Sequence, residues 1–301
     1  MTGRHVMVLG ATGFLGRHIA DAFEAAGDRV LRVSRSAPPG AAIDLSAATT
    51  PDLAAFLAAH RPDVVVNAAG TVWQADERRM YELNDAFVRR LVAALPGPTR
   101  LVQLGSVHEY GPAPAGVPLT EDREPAPAGT YGRTKLSGTR WVLGAAREGL
   151  DAVVVRVANA CGPGAPPESL LGKVAAELAR QAGRKGPAAE LRLSPLRARR
   201  DFVDVRDVAE AVVAAAGADR STAAGRIVNI GRGEAVPVRG LVDRMVALSG
   251  LPVRLVELEA PDGTRAASEW QQTDIALAGR LLGWRPRREL DESLRDLLAA
   301  V

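Results

Sequence analysis

Cysteine is almost absent: Cys161 is the single one in 301 residues. That excludes an intrachain disulfide framework and any zinc or iron–sulfur site built on several cysteines of one chain, and no metal site is expected. Lysine is scarce as well. It occurs at Lys135, Lys173 and Lys185, so the basic side of a net charge of +3 is almost all arginine. The surplus of Arg and Ala matches a GC-rich coding bias and gives little support to a nucleic-acid partner. The one basic run, Arg197-Ala198-Arg199-Arg200, is either a solvated face or a phosphate site. No stretch reaches the ~18 consecutive apolar residues of a membrane span. The chain enters an apolar run at Val6 with no basic-plus-apolar leader before it, so a soluble, cytoplasmic protein without membrane contact is expected.

What is present is globular: 47% hydrophobic and 24% charged residues, at a length that holds one large domain or two modest ones. Short β-branched runs at 6–9, 30–33, 64–67, 101–104 and 153–157 read as strands. Helical spacing occupies 14–26, 53–60, 78–95 and 135–148 between them. Apolar strands separated by helices predict an α/β fold with a doubly wound parallel sheet covered on both faces. Pro and Gly break up 111–129 and 161–167. Helices are expected near 169–182, 208–216, 238–249, 274–282 and 290–300, with strands at 202–205 and 226–230. The expected division is a nucleotide-binding unit of residues 1–160, completed by 201–230. A smaller C-terminal substrate-binding unit takes 161–200 and 231–301.

The first strand runs into Gly10-Ala11-Thr12-Gly13-Phe14-Leu15-Gly16. Glycines at these places clear the turn, the approach of a pyrophosphate and the helix–strand packing, and the helix start then faces the phosphate charge. The spacing is Gly-x-x-Gly-x-x-Gly, which differs from the standard dinucleotide fingerprint. The second strand ends in Ser34-Arg35, where NAD binders place a carboxylate for the ribose 2′-hydroxyl. An arginine there pairs with a 2′-phosphate instead, so NADP (NADPH) is favoured and NAD is less favoured. Asp44-Leu45, after a short third strand, is placed beside the adenine. Ala68-Ala69-Gly70 supplies small residues at a strand end where a cofactor passes close.

Ser106 ends the strand beginning at Leu101, and Tyr131-Gly132-Arg133-Thr134-Lys135 opens a later helix. Reducing a ketone needs hydride at carbon and a proton at oxygen. Tyrosine is a weak acid near neutrality, and a lysine one helical turn along the same face favours its anion. Ser106 can hold the substrate oxygen against the phenol.

With these residues in this order, the chain resembles the extended short-chain dehydrogenases/reductases of the nucleotide-sugar epimerase/dehydratase/reductase group. That likeness implies a Rossmann fold over the whole length, with Ser106, Tyr131 and Lys135 as catalytic residues and Tyr131 and Lys135 also touching the cofactor. The segment 155–164 is similar to the family's Arg-x-x-Asn-x-x-Gly-Pro stretch, which implies a substrate phosphate contact for Asn159. Arg200 opens a segment similar to Arg-Asp-Phe-x-x-Val-x-Asp-Val-Ala, which implies a diphosphate contact. Arg265 stands where a second phosphate-binding arginine is often found. Gly283-Trp284-Arg285-Pro286 resembles a structural signature.

The substrate-facing turn reads Ser106-Val107-His108-Glu109. Family 4,6-dehydratases carry Asp-Glu after the Thr or Ser, and Val107 cannot donate a proton, so a dehydratase is disfavoured. Glu109, one residue late on an extended loop, is expected to point elsewhere. His108 is a candidate proton shuttle or a group that orients substrate. The first expectation is an NADPH-dependent 4-ketoreductase of a nucleotide-linked 4-keto-6-deoxysugar. A 4-epimerase with tightly held NAD, a carbonyl reductase of other substrates and a non-catalytic NADP-binding regulator are the alternatives. The helices at 78–95 and 135–148 allow but do not require a homodimer.

Overall fold

The computed structural model describes residues 3–38, 40–71, 75–182, 189–258 and 270–301. In the first half the chain alternates β1 (His5–Leu9), α1 (Phe14–Ala25), β2 (Arg29–Val33), α2 (Thr50–His60) and β3 (Val64–Asn67). It continues through α3 (Glu77–Tyr81), a π-helical segment Glu82–Ala86, α4 (Phe87–Ala94), β4 (Arg100–Ser106), a 3-10 turn Val107–Glu109, α5 (Thr130–Arg147) and β5 (Ala152–Val157). The second half holds β6 (Asn159–Cys161), α6 (Leu170–Gln181), β7 (Ala189–Leu193), β8 (Arg199–Arg200), β9 (Phe202–Asp204), α7 (Val205–Gly217), α8 (Arg220–Ala223) and β10 (Ile227–Ile230). It ends with β11 (Val236–Pro237), α9 (Val238–Ser249), β12 (Val253–Glu257), β13 (Trp270–Gln271), α10 (Ala276–Leu282) and α11 (Leu290–Ala299).

Six of these strands form one parallel sheet in the order β10-β5-β4-β3-β1-β2. Its strands are apolar on both faces because both faces are covered. Val6, Val8, Val64, Val66, Val102 and Leu104 pack with α1 and α7. Met7, Leu9, Val65 and Leu101 turn the other way, onto α2, α4 and α5. Period-two alternation with helices on each side is the doubly wound arrangement. The chain moves outward from β1 in opposite directions through β2 and β3, so a crevice opens at the carboxyl ends of these strands.

A second core lies apart from the sheet. It joins Leu171, Val174 and Leu178 of α6 with Leu241, Val242 and Met245 of α9 and with Leu290, Leu294 and Leu297 of α11.

Several expected elements differ. The strand at 202–205 does not join the large sheet: β9 pairs with β6 in a separate two-stranded ladder. The short third strand before Asp44 reduces to a single bridge between Ser34 and Ala42. The helix expected at 135–148 begins at Thr130, behind an N-cap at Gly129, which puts Tyr131 in its first turn. The one at 78–95 is interrupted by the π-helical segment, and Asn84 within it is buried.

Candidate active site

The turn after β1 is shaped by one close approach. Gly10 has φ +79°, and a Cβ there would stand 2.8 Å from the Ala69 backbone. A Cβ at Gly16 would overlap the Gly10 carbonyl oxygen, 2.1 Å away, so α1 can lie tight against the turn. Gly13 caps α1 without a side-chain hydrogen bond, and no acidic residue occupies the first turn. The positive end of the helix dipole is therefore left for an anion. Gly10, Thr12 and Gly13 line a cavity of about 210 Å³ together with Ser34, Arg35, Asp44, Leu45, Ala68, Ala69 and Gly70. These are residues from the ends of β1, β2 and β3 and the loop after β2. Their convergence on one space, beside a helix start free of acidic side chains, fits a nicotinamide dinucleotide.

Three residues of the glycine turn do other work. Phe14 packs on the second core and meets His18 edge-on at 6.0 Å. Leu15 packs on the sheet core, and Gly16 is buried beneath Gly10. Sequence reasoning missed four lining residues: Ile43, Ser46, Arg79 and Leu83. Arg79 donates to Ser46 Oγ at 3.2 Å, and Ser46 donates to Asp44 through its hydroxyl at 2.6 Å and its N–H at 3.0 Å. These bonds hold the Asp44 carboxyl below its ordinary value. Finding Arg79 needed the tertiary placement of α3, which no local pattern reports.

Across the crevice, β4 delivers Ser106 at its last position and α5 delivers Tyr131. The Ser106 side chain lies close enough to the phenol to influence its ionisation. Burial pushes the Tyr131 phenol up to about 12. The nearby Ser106 side chain opposes the rise, and the Glu109 charge adds to it. Lys135, one helical turn along α5, donates from Nζ to the Leu104 carbonyl at 2.5 Å. Burial holds the lysine below its ordinary value, against the pull of Glu109. A Cβ at Gly70 would lie 3.9 Å from Lys135 Nζ, so the ammonium borders the dinucleotide cavity. Asn84 braces this wall: it bonds Thr71 through both amide atoms and reaches Thr134 Oγ1 at 3.1 Å, next to Lys135.

His108 meets the Tyr131 ring edge-on with centroids 5.7 Å apart. Its side chain is exposed. Desolvation and the charge of Arg200 lower its pKa to about 4, so it is neutral at pH 7. Val107 is buried and packs in the sheet core rather than facing a ligand. Glu109 does point elsewhere, but because of a 3-10 turn and not an extended loop. Its carboxylate turns inward onto the Ser106 N–H and Arg156.

On the substrate side, Arg200 is half-buried and makes no ion pair or hydrogen bond through its side chain among the described residues. Its neighbour Asp201 is fully buried and accepts the N–H groups of Arg232, Gly233 and Thr273, which anchors the strap carrying Arg200. Asn159 is different. Its amide nitrogen donates to the Asp201 carbonyl at 2.7 Å and to Gln271 Oε1 at 2.6 Å. Both amide hydrogens are thereby committed, which removes the donor that a phosphate contact requires. Arg265 lies outside the described residues. Trp284 confirms a structural signature: it is buried, and its indole donates to the Asp207 carbonyl at 3.0 Å. Among the described residues no cluster of three His, Cys, Asp or Glu side chains is arranged for a metal, and no helix is long and apolar enough to cross a membrane.

A doubly wound sheet with a glycine turn at its crevice, and a Ser–Tyr–Lys set at the end of a neighbouring strand, defines a short-chain dehydrogenase/reductase. Residues 6–231 match the NAD dependent epimerase/dehydratase family, and the chain belongs to it. It is 46% identical to dTDP-6-deoxy-L-talose 4-dehydrogenase (NAD(P)(+)) of Kitasatospora kifunensis, over 98% of this chain and 95% of that one. UDP-glucose 4-epimerase of Azospirillum brasilense is 28% identical over 98% and 91%. Among solved structures, RMD from Pseudomonas aeruginosa complexed with NADPH superposes with a TM-score of 0.84 at 24% identity, covering 99% of this chain and 97% of that one. That last likeness is one of fold.

Proposed function

We propose that this protein is an NADPH-dependent 4-ketoreductase of a nucleotide-linked 4-keto-6-deoxysugar. The observation that carries the reading is that Ser106 at the end of β4 and Tyr131 in the first turn of α5 come close together, on the same crevice as a cavity fit for a dinucleotide. A phenol held protonated by burial is a proton donor in waiting, which suits reduction. The Kitasatospora relative is named for oxidation at C4 of a 6-deoxysugar, and ketone reduction at C4 is that reaction reversed.

When bound, the nicotinamide supplies the hydride that goes to C4. Ser106 holds the C4 oxygen against the phenol, and Tyr131 releases its proton to that oxygen, so ketone, hydride and proton balance to a secondary alcohol. Lys135, one helical turn away, keeps a positive charge against the phenolate left behind. His108, neutral and open to the cleft, orients sugar hydroxyls. Arg200 holds the diphosphate. Arg35, with Arg79 on the same cavity, favours the 2′-phosphate of NADPH. Residues 1–160 with 201–230 form the cofactor unit, and 161–200 with 231–301 form the substrate unit.

The test is NADPH consumption on addition of a dTDP-4-keto-6-deoxyhexose, with Tyr131→Phe beside the wild type. Consumption should occur and should fall by about 10²–10⁴ in the variant, as for loss of a general acid. Cofactor that is never consumed, with interconversion of C4 epimers, would move the protein to the 4-epimerase reading that the Azospirillum relative supports.

A further inference from the structure

A buried charge pair lies directly beneath the reacting hydroxyls and belongs to none of the roles above. Glu109 and Arg156 are 0% and 1% exposed at their side chains, and Arg156 Nε donates to Glu109 Oε2 at 2.8 Å. The other carboxylate oxygen, Oε1, accepts the Ser106 N–H at 2.8 Å. The sheet register builds this contact. Arg156 on β5 stands opposite Gly105 on β4, one residue before Ser106. A Cβ at Gly105 would sit 2.8 Å from Glu109 Oε1 and 3.1 Å from Arg156 Cγ, so the missing side chain is the space in which the pair meets. The Arg156 guanidinium then lies 4.4 Å over the Tyr110 ring, whose hydroxyl donates to Asn229 at 2.8 Å.

Stability alone is a weak reason for such a pair, because desolvating two charges offsets their attraction. Its place is more telling. We propose that Glu109, held by Arg156, is a positioning residue for the reaction that fixes Ser106 against the Tyr131 hydroxyl through the Ser106 N–H. Glu109 cannot touch substrate, being fully buried. Its charge also reaches the proton donor Tyr131 and its neighbour Lys135. The other titratable groups facing Tyr131 are His108 on the same turn and Lys135 on its own helix. Losing Glu109 would leave the Ser106 N–H unpaired and free the serine to shift.

This inference rests on the ketoreductase reading, and the experiment separates the two. Glu109→Gln, the double variant Glu109→Met/Arg156→Met, Tyr131→Phe and Arg100→Met are compared with the wild type. The readouts are kcat, KM for the ketosugar, NADPH binding by fluorescence, and Tm. Arg100 pairs with Asp151 at the far end of β4 and serves as a destabilised control. Both Glu109 variants should lose about 10²-fold in kcat, the scale of a misplacement near 1 Å. KM and NADPH affinity should hold, the pattern of an interaction made in the transition state. The double variant leaves no unpaired buried charge, so it reports even if Glu109→Gln fails to fold. A kcat loss no greater than that of Arg100→Met at equal loss of Tm overturns the positioning role. Full activity of Tyr131→Phe overturns the underlying reading instead.

Discussion

Arg35 makes no ion pair or hydrogen bond among the described residues, yet its charge bears on Asp44 across the cavity mouth. An exposed cation left unneutralised at the end of β2 is available for a phosphate. Charge-assisted hydrogen bonds contribute about 1.5–3 kcal/mol, so Arg35→Ala should weaken NADPH binding by about 10- to 100-fold and NADH binding much less. Fluorescence titration with both nucleotides checks this, and equal weakening would remove the 2′-phosphate contact. His108 carries a different prediction. Its folded-state pKa, about 4, lies below the ordinary 6.5, so the unfolded chain binds the proton more readily between these values. Stability is then unaffected above pH 6.5 and falls as the pH drops toward 4. His18, also lowered by burial, acts in the same direction. His108→Asn should narrow the Tm difference between pH 7 and pH 5 without abolishing it; an unchanged difference would show that the histidine keeps its ordinary pKa.

Among the elements, the turn from β1 to α1 is the least tolerant of change. Gly10→Ala adds a left-handed alanine, at about 1–3 kcal/mol, and drives its methyl into Ala69. A lower Tm together with loss of NADPH binding is expected. Retained binding at full affinity would mean that the β1–β3 crevice is not the cofactor site. This turn and the five strands found from β-branched runs were legible because their signals are local: glycines where a Cβ collides, and apolar residues wherever a strand is covered on both faces. The departures share a cause, which is that contacts between distant segments decided them. Asn159 reads as a phosphate donor until Gln271, 112 residues away, takes its amide. Glu109 reads as a stray carboxylate until the β4–β5 register brings Arg156 to it. The π-helical segment that buries Asn84 against Thr71 and Thr134 leaves no mark in the apolar spacing of 78–95.

At the scale of the molecule, the proposed division between a cofactor unit and a substrate unit requires the two cores to be held together. The first joint is at α1: Arg17 donates to the carbonyls of Pro163 and Gly164, and His18 contacts Pro163 at 3.0 Å. The helix that begins at the glycine turn thus grips the loop leading into the second core. The second joint is at the C-terminal end. Asp207 on α7 accepts Arg287 and Arg288 through their N–H groups at 3.1 and 3.0 Å and binds the Arg288 guanidinium at 2.6 Å. Its carbonyl receives the Trp284 indole, and that ring is buried in the sheet core. Gly283, with φ +63°, ends α10 and lets the chain turn so that Trp284 can enter. Truncating a buried tryptophan costs about 3–5 kcal/mol, and here it also unpairs a buried carbonyl. Trp284→Ala should therefore lower the unfolding free energy obtained from urea titration by about 3–5 kcal/mol and raise KM for the sugar nucleotide more than it weakens NADPH, since Trp284 does not line the cavity at the glycine turn. If NADPH affinity fell as far as sugar affinity, the C-terminal segment would be supporting the cofactor unit directly, and the division of labour between the two cores would be wrong.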